Sequence, residues 1–210
     1  MKLAIFGATG ATGRHLVDQA LQAGHEVSAL VRSADRLSIV HPRLRLVVGI
    51  FSQQDGVRDV VQGADAVISV LGARKGDASA ICTEGMRGII AAMETAGTRR
   101  LVALSAYGAS ETRRASLFIR VVRRIIAAKM RDKDSMEALV RASALDWTLV
   151  RPPALTNGPR TGRYRAGTTL NPGIAGTLAR ADLAAFMLRE AVEGNYRGAA
   201  VVVARQGRSD

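Results

Sequence analysis

Near the start of the chain stands Gly7-Ala8-Thr9-Gly10-Ala11-Thr12-Gly13, three glycines at a spacing of three. It follows the apolar run Leu3 to Phe6 and precedes a stretch with Leu16, Val17, Ala20 and Leu21 at helical spacing. Glycines so placed allow a tight turn, approach of a pyrophosphate to the backbone, and close packing of a helix on a strand. The helix start then offers unpaired N–H groups and the positive end of its dipole to phosphates. On this reading the three glycines and the helix start hold the phosphates of a dinucleotide; the alternative is a plain glycine turn.

The second apolar run, Val27 to Val31, ends in Arg32, and Arg36 follows four residues later. A carboxylate here would accept from the 2'-hydroxyl of an NAD ribose. Two guanidinium groups instead suit a 2'-phosphate, which makes NADP(H) the expected cofactor; solvated arginines in an arginine-rich chain are the alternative. Ser105 closes the fifth apolar run and Tyr107 lies two residues on. His15, His25, His41 and Cys82 have no spacing that makes a metal site, and no metal is expected.

The elements that would position these groups recur along the chain. Short continuous apolar runs occur at Leu3 to Phe6, Val27 to Val31, Leu44 to Val48, Ala66 to Val70, Leu101 to Leu104, Thr148 to Val150 and Ala200 to Val203, with helical stretches between them. Unbroken rather than alternating hydrophobicity means strands buried on both faces, as in a parallel sheet covered by helices. The expectation is an α/β, doubly wound, Rossmann-type sheet forming one domain over residues 1–210. Residues 152–178, crowded with Pro and Gly, read as a substrate-site loop before a helix at about Arg180 to Val192 and a last strand.

The chain has 210 residues, 48% of them apolar and only 4% aromatic, so a flat ligand must be held mostly by aliphatic and glycine surfaces. A single cysteine excludes an internal disulfide, no apolar run reaches the length of a membrane helix, and the chain opens straight into a strand, so a cytoplasmic protein without an integral membrane segment is expected. The net charge of +12 attracts anions without choosing among them. Much of it lies in Arg113 to Lys133, where Leu117, Val121, Val122, Ile125 and Ile126 form an apolar stripe among arginines. That stretch is expected to be a core-facing helix with a solvated basic face; a membrane surface, an acidic partner or a wall of the substrate site are the alternatives. Nucleic acid is not expected, because no motif or aromatic platform for it is present.

Taken together, the Gly7 to Gly13 turn, Arg32 and Arg36, Leu71-Gly72-Ala73-Arg74, Thr83-Glu84-Gly85, Ser105 and Thr148 to Pro153 resemble the atypical short-chain dehydrogenase/reductases with NAD(P)-binding domains. Within these the chain is most similar to the flavin reductase/biliverdin-IXβ reductase family, with NmrA-like proteins as relatives. The resemblance implies NADPH as hydride donor and a flavin (FMN or riboflavin), a quinone or a linear tetrapyrrole as acceptor. It places Gly7, Thr9, Gly10, Thr12 and Gly13 at the phosphates, Leu71, Gly72 and Arg74 along the path from adenine to nicotinamide, Ser105 beside the nicotinamide with Tyr107 as a candidate acid two residues on, and Pro152, Pro153 and Leu155 on its other side. The small acceptor is the expected partner, with the protein a monomer or weak homodimer; the alternative is a non-enzymatic NADP(H)-binding sensor of NmrA-like type. Three departures stand out. The family's histidine after the paired prolines is Ala154, its acid after the third strand is replaced by Gly49-Ile50-Phe51, and the tyrosine of Tyr-x-x-x-Lys is Lys129 in the stretch ending at Lys133. Without that tyrosine an alcohol or ketone lacks its usual proton donor, whereas a flavin or quinone can draw its proton from solvent.

Overall fold

All seven apolar runs become strands in the computed structural model, which describes residues 1–73, 80–173 and 176–207. They are β1 (Lys2–Phe6), β2 (Glu26–Val31), β3 (Leu44–Val48), β4 (Ala66–Ser69), β5 (Arg100–Leu104), β6 (Asp146–Arg151) and β10 (Ala199–Arg205). Between them lie α1 (Ala11–Gln22), α2 (Gln54–Val61), α3 (Ile81–Ala96), α4 (Leu117–Ile125), α5 (Ala127–Ala142) and α6 (Arg180–Glu193). With β8 (Tyr164–Gly167) the strands form one eight-stranded sheet in the order β3-β2-β1-β4-β5-β6-β10-β8, parallel except where β8 runs antiparallel to β10. The order reverses between β1 and β4, and there the loops at the carboxyl ends of the strands diverge and leave a crevice.

Side chains alternate across the sheet and feed two cores. On one face Leu3 and Ile5 of β1 pack with Leu16 and Val17 of α1 and Phe186 of α6. On the other, Ala4 and Phe6 pack with Val57 of α2, Met86 and Ile89 of α3 and Met136 of α5. Both faces of the central strands are therefore dry, which accounts for their unbroken apolar sequence. At the amino ends of β5 and β6 the buried Arg100 and Glu190 pair at 2.7 Å, and Glu190 also accepts from Thr148 Oγ1 at 3.0 Å.

Two expectations are corrected. The 152–178 segment is more ordered than a Pro- and Gly-rich loop: besides β8 it carries β7 (Ala154–Thr156), which pairs in parallel with β9 (Thr177–Ala179). Neither strand exceeds three residues, too short for an apolar period to register. Second, Arg113 to Lys133 is not a single core-facing helix. The chain breaks at Ile126 between α4 and α5, and α4 has no buried residue. Among the described residues no helix is long and apolar enough to cross a membrane.

Replacing Glu190 by Ala strands the Arg100 guanidinium in the interior, and urea unfolding should show a loss of about 3–5 kcal/mol. A change indistinguishable from zero would mean that this ion pair does not tie α6 to the sheet.

Candidate active site

The crevice begins at the glycine turn. Gly7 has a φ of +87° and a Cβ on it would lie 2.9 Å from the Val70 carbonyl oxygen, so a side chain is excluded by conformation and by space. At Gly13 a Cβ would lie 2.1 Å from the Gly7 carbonyl oxygen, so α1 can start this close to β1 only without one. The turn closes with Gly10 N donating to Gly7 O at 3.0 Å, and the first bond of α1 runs from Arg14 N to Gly10 O. The amides of Ala11, Thr12 and Gly13 thus precede the helical ladder, and no side chain caps them. No acidic residue occupies the first turn, so the positive end of α1 is not neutralised from within.

Arg32 and Arg36 are exposed at the carboxyl end of β2, Arg36 within a short 3-10 turn over Ala34–Arg36. Neither takes part in an ion pair among the described residues. Asp35 lies between them, and its carboxylate accepts from Ser33 Oγ. A residue missed in the sequence joins this loop to the glycines: Arg14 donates through Nε to Thr9 O at 3.3 Å and through Nη2 to Arg36 O. Its place directly after the third glycine was the available signal.

On the far wall, Leu71 is buried and Gly72 exposed after β4, while Arg74 lies outside the described residues. Leu71 packs where α3 has Gly85, whose Cβ would meet Leu71 Cδ1 at 2.6 Å. Phe51 turns inward to Phe6, with ring centroids 5.8 Å apart, and leaves Ile50 as the exposed member of Gly49-Ile50-Phe51. The start of α3 is satisfied from α5: Asp132 accepts from Cys82 N at 3.0 Å, Thr83 N at 2.8 Å and Thr83 Oγ1 at 2.7 Å. Burial alone would raise the pKa of Asp132, but these hydrogen bonds outweigh it and hold the carboxyl below its ordinary value. Lys133 is buried and gives its ammonium to Leu71 O at 2.8 Å and Leu104 O at 2.6 Å, tying the ends of β4 and β5 together. Cys82 is buried beneath them, and burial pushes its thiol pKa up.

Ser105 sits deeper than its strand-end position indicated, within a charged network. Its Oγ donates to Glu137 Oε1 at 2.5 Å, Ser110 Oγ donates to Glu137 Oε2 at 2.6 Å, and Arg151 grips the same carboxylate through Nε at 2.8 Å and through Nη2. Glu137 is fully buried and Arg151 nearly so. Arg151 Nη2 also reaches Glu111 at 2.8 Å, which Arg141 meets from outside at 2.9 Å. Burial by itself would lower the Arg151 pKa; its hydrogen bonds to Glu137 and Glu111 reverse that and raise it. Ser110, at a φ of +44°, is held in the left-handed region by Glu137 on its hydroxyl and Asp134 on its amide at 2.7 Å. The signal for Glu137 was Arg151 itself, a charge ending a buried strand and so in need of a partner.

The remaining predicted residues line the same end of the sheet. Tyr107 is half-buried, with its amide donating to Pro152 O at 2.8 Å, and Ser105 N donates to Val150 O at 2.7 Å, so the β5 and β6 loops are stitched together. Pro152 is buried, Pro153 and Leu155 are half-buried, and Ala154 is exposed. The following loop is anchored by the buried Asp182, which accepts from the amides of Thr161 and Gly162, each at 2.8 Å. The crevice thus has a cradle of free amides at one end, two guanidinium groups without an ion-pair partner among the described residues at its rim, and a serine fixed by a buried carboxylate at the other.

Comparison with known proteins gives the family and the fold. A family model described as NAD(P)H-binding matches residues 7–193. The chain is 28% identical over 207 residues to the Saccharomyces cerevisiae protein YMR090W, covering 93% of this chain and 88% of that one. It is 32% identical over 197 residues to a 3-diazoavenalumate denitrifying reductase of a Streptomyces species, covering 85% of this chain and 64% of that protein, less than two thirds of its length. Among solved structures it is similar to ChuY, an anaerobillin reductase from Escherichia coli O157:H7, with a TM-score of 0.86 over all of both chains at 20% identity, a likeness of fold.

The hydrogen bond from Arg151 lowers the Glu111 carboxyl from 4.5 to about 2. A depressed folded-state pKa stabilises the protein above the unfolded value and ceases to do so as pH falls through the folded one. The melting temperature of the parent should therefore drop between about pH 4.5 and about pH 2 more steeply than that of Glu111→Gln. Parallel curves for the two proteins would show that Glu111 does not feel Arg151.

Proposed function

The chain belongs to the NAD(P)H-binding family, and on that premise we propose that it is an NADPH-dependent reductase whose acceptor is a flavin, a quinone or a similar small molecule. Gly7, Thr9, Gly10, Thr12 and Gly13 would hold the pyrophosphate against the unpaired amides of α1. Arg32 and Arg36 would take the 2'-phosphate, with Arg14 fixing their loop to the glycine turn. Leu71 and Gly72 line the path from adenine, joined by Arg74 on the strength of the resemblance, and Pro152, Pro153 and Leu155 close the nicotinamide's other side. The residues present suit this cofactor: the cradle would be filled by a single Cβ, and the rim carries cations without ion-pair partners among the described residues. When bound, the reduced nicotinamide supplies a hydride. The 152–178 segment, anchored by Asp182, forms the roof that limits water around it.

The observation that carries the choice of acceptor is the hydrogen bond from Ser105 to Glu137. With its proton committed to a buried carboxylate that Arg151 holds, the buried Ser105 hydroxyl is left as an acceptor and not as an acid. A carbonyl oxygen needs a proton in its transition state, whereas a flavin or quinone can take one from water. Tyr107 is the other group in reach of acid chemistry, and its anchored amide fits a packing role on the loop.

Purified protein incubated with NADPH and, in separate runs, FMN, riboflavin, a short-chain quinone or dichlorophenolindophenol should consume NADPH, followed at the nicotinamide absorbance. Tight binding with no oxidation above buffer would replace the reductase by a sensor. Tyr107→Phe should leave turnover within about twofold, since general acid catalysis contributes about a hundredfold or more where it operates. Arg32→Asp should weaken NADPH by about tenfold or more, the scale of a lost charge-assisted hydrogen bond, and NADH far less. Equal losses for the two nucleotides would remove Arg32 from the 2'-phosphate site.

A further inference from the structure

Helix α4 carries a surface that the proposed reductase chemistry does not use. Residues 117, 118, 121 and 125 fall within an arc of about 100° at 3.6 residues per turn. All four side chains are exposed: Leu117 is 72% and Ile125 77% accessible, with Phe118 and Val121 near half. The helix itself is well defined, because Ser116 Oγ accepts from Ile119 N at 3.2 Å and caps it. Arg113, Arg120 and Arg124 are exposed beside the stripe and line, with Leu117 and Val121, an open groove of about 530 Å³. The nearby carboxylates are already engaged: Asp134 is bound by Arg123, and Glu111 by Arg141 and Arg151. The result is a convex helix with an apolar strip flanked by guanidinium groups that have no ion-pair partner among the described residues.

We propose that α4 docks this protein on the surface of an anionic lipid bilayer. A bilayer interface offers phosphates and hydrocarbon together, so the arginines can remain at headgroup level while Leu117, Phe118, Val121 and Ile125 enter the acyl boundary. A second copy is a poor occupant, because face-to-face contact would bring two sets of arginines together with no free carboxylate between them. A nucleic acid would pair the arginines but leave the apolar strip in water. An acidic protein answers the charge, yet the groove beside α4 is lined mainly by arginines and gives a helix or strand no continuous apolar floor, whereas lipid needs no matching shape.

The test is co-sedimentation of the full chain with phosphatidylcholine vesicles with and without about 30 mol% phosphatidylglycerol. The protein should pellet with the anionic vesicles at low salt, stay in solution with phosphatidylcholine alone, and be released at about 0.5 M salt. Leu117→Gln with Ile125→Gln, and separately Arg120→Glu with Arg124→Glu, should each lower the partition coefficient about tenfold or more. These positions are exposed, so far-UV circular dichroism and NADPH affinity should match the parent; this separates failure of docking from failure of the cofactor site. No pelleting with anionic vesicles, or pelleting that both double variants retain, would overturn the proposal. Binding to soluble polyglutamate that is as tight as to vesicles and equally sensitive to the variants would overturn it in favour of an acidic protein.

Discussion

Helix α1 can begin at the end of β1 only because residue 13 has no side chain. A single added carbon would sit 2.1 Å from the Gly7 carbonyl oxygen, far inside van der Waals contact, so any other residue must push the helix away from the strand. This closeness sets the axis of α1, aims its unpaired amides at the crevice, and leaves room for the Gly7 turn to press against Val70 at the end of β4. It also brings Arg14 within reach of both Thr9 and the loop after β2, so the rim that presents Arg32 and Arg36 is built from the same contact. The free amides at the start of α1 and the cation-bearing rim thus both depend on one steric condition, met beside the reversal in strand order.

The opposite end of the crevice depends on α5. Within two turns it presents Asp132 to the start of α3, Lys133 to the carbonyl ends of β4 and β5, and Glu137 to Ser105, Ser110 and Arg151. Burying this many charges is costly unless each is satisfied: Glu137 is paired with Arg151, Asp132 accepts from amides and a hydroxyl at the start of α3, and Lys133 donates to two backbone carbonyls. The polar cluster holds Ser105 and the strained Ser110 in a fixed relation to the sheet. Glu111 extends the network to the surface through Arg151, so the geometry of the loop after β5 is linked to the protonation of an accessible carboxylate.

The sheet was legible because its evidence is local and repeated. Strands such as β1 and β5 are buried on both faces, and that leaves continuous apolar runs no helix or loop would need. The glycine turn was legible for a similar reason, since its spacing is dictated by backbone sterics within seven residues. The pairing of Glu137 with Arg151 was not: Arg151, a charge ending a buried strand, called for a partner without saying which, and the two, fourteen positions apart, meet only when α5 packs beside β6. The stripe from Leu117 to Ile126 shows the limit of periodicity. It specifies a helix with one apolar face, and it is the same whether that face meets the core or solvent; the break at Ile126 turned α4 outward while α5 kept the core contacts through Met136 and Val140. β7 and β9, at three residues each, were hidden among prolines and glycines.

The account stands or falls on a pyridine dinucleotide lying over the start of α1 with its 2'-phosphate at the β2 rim. Backbone hydrogen exchange read by mass spectrometry, with and without saturating NADPH, locates it without any assumption about the acceptor. Peptides covering residues 7–14 and 32–37 should gain protection with NADPH, and NADH should protect the first while leaving the second nearly unchanged. Unaltered exchange across residues 7–14 in the presence of either nucleotide would contradict it.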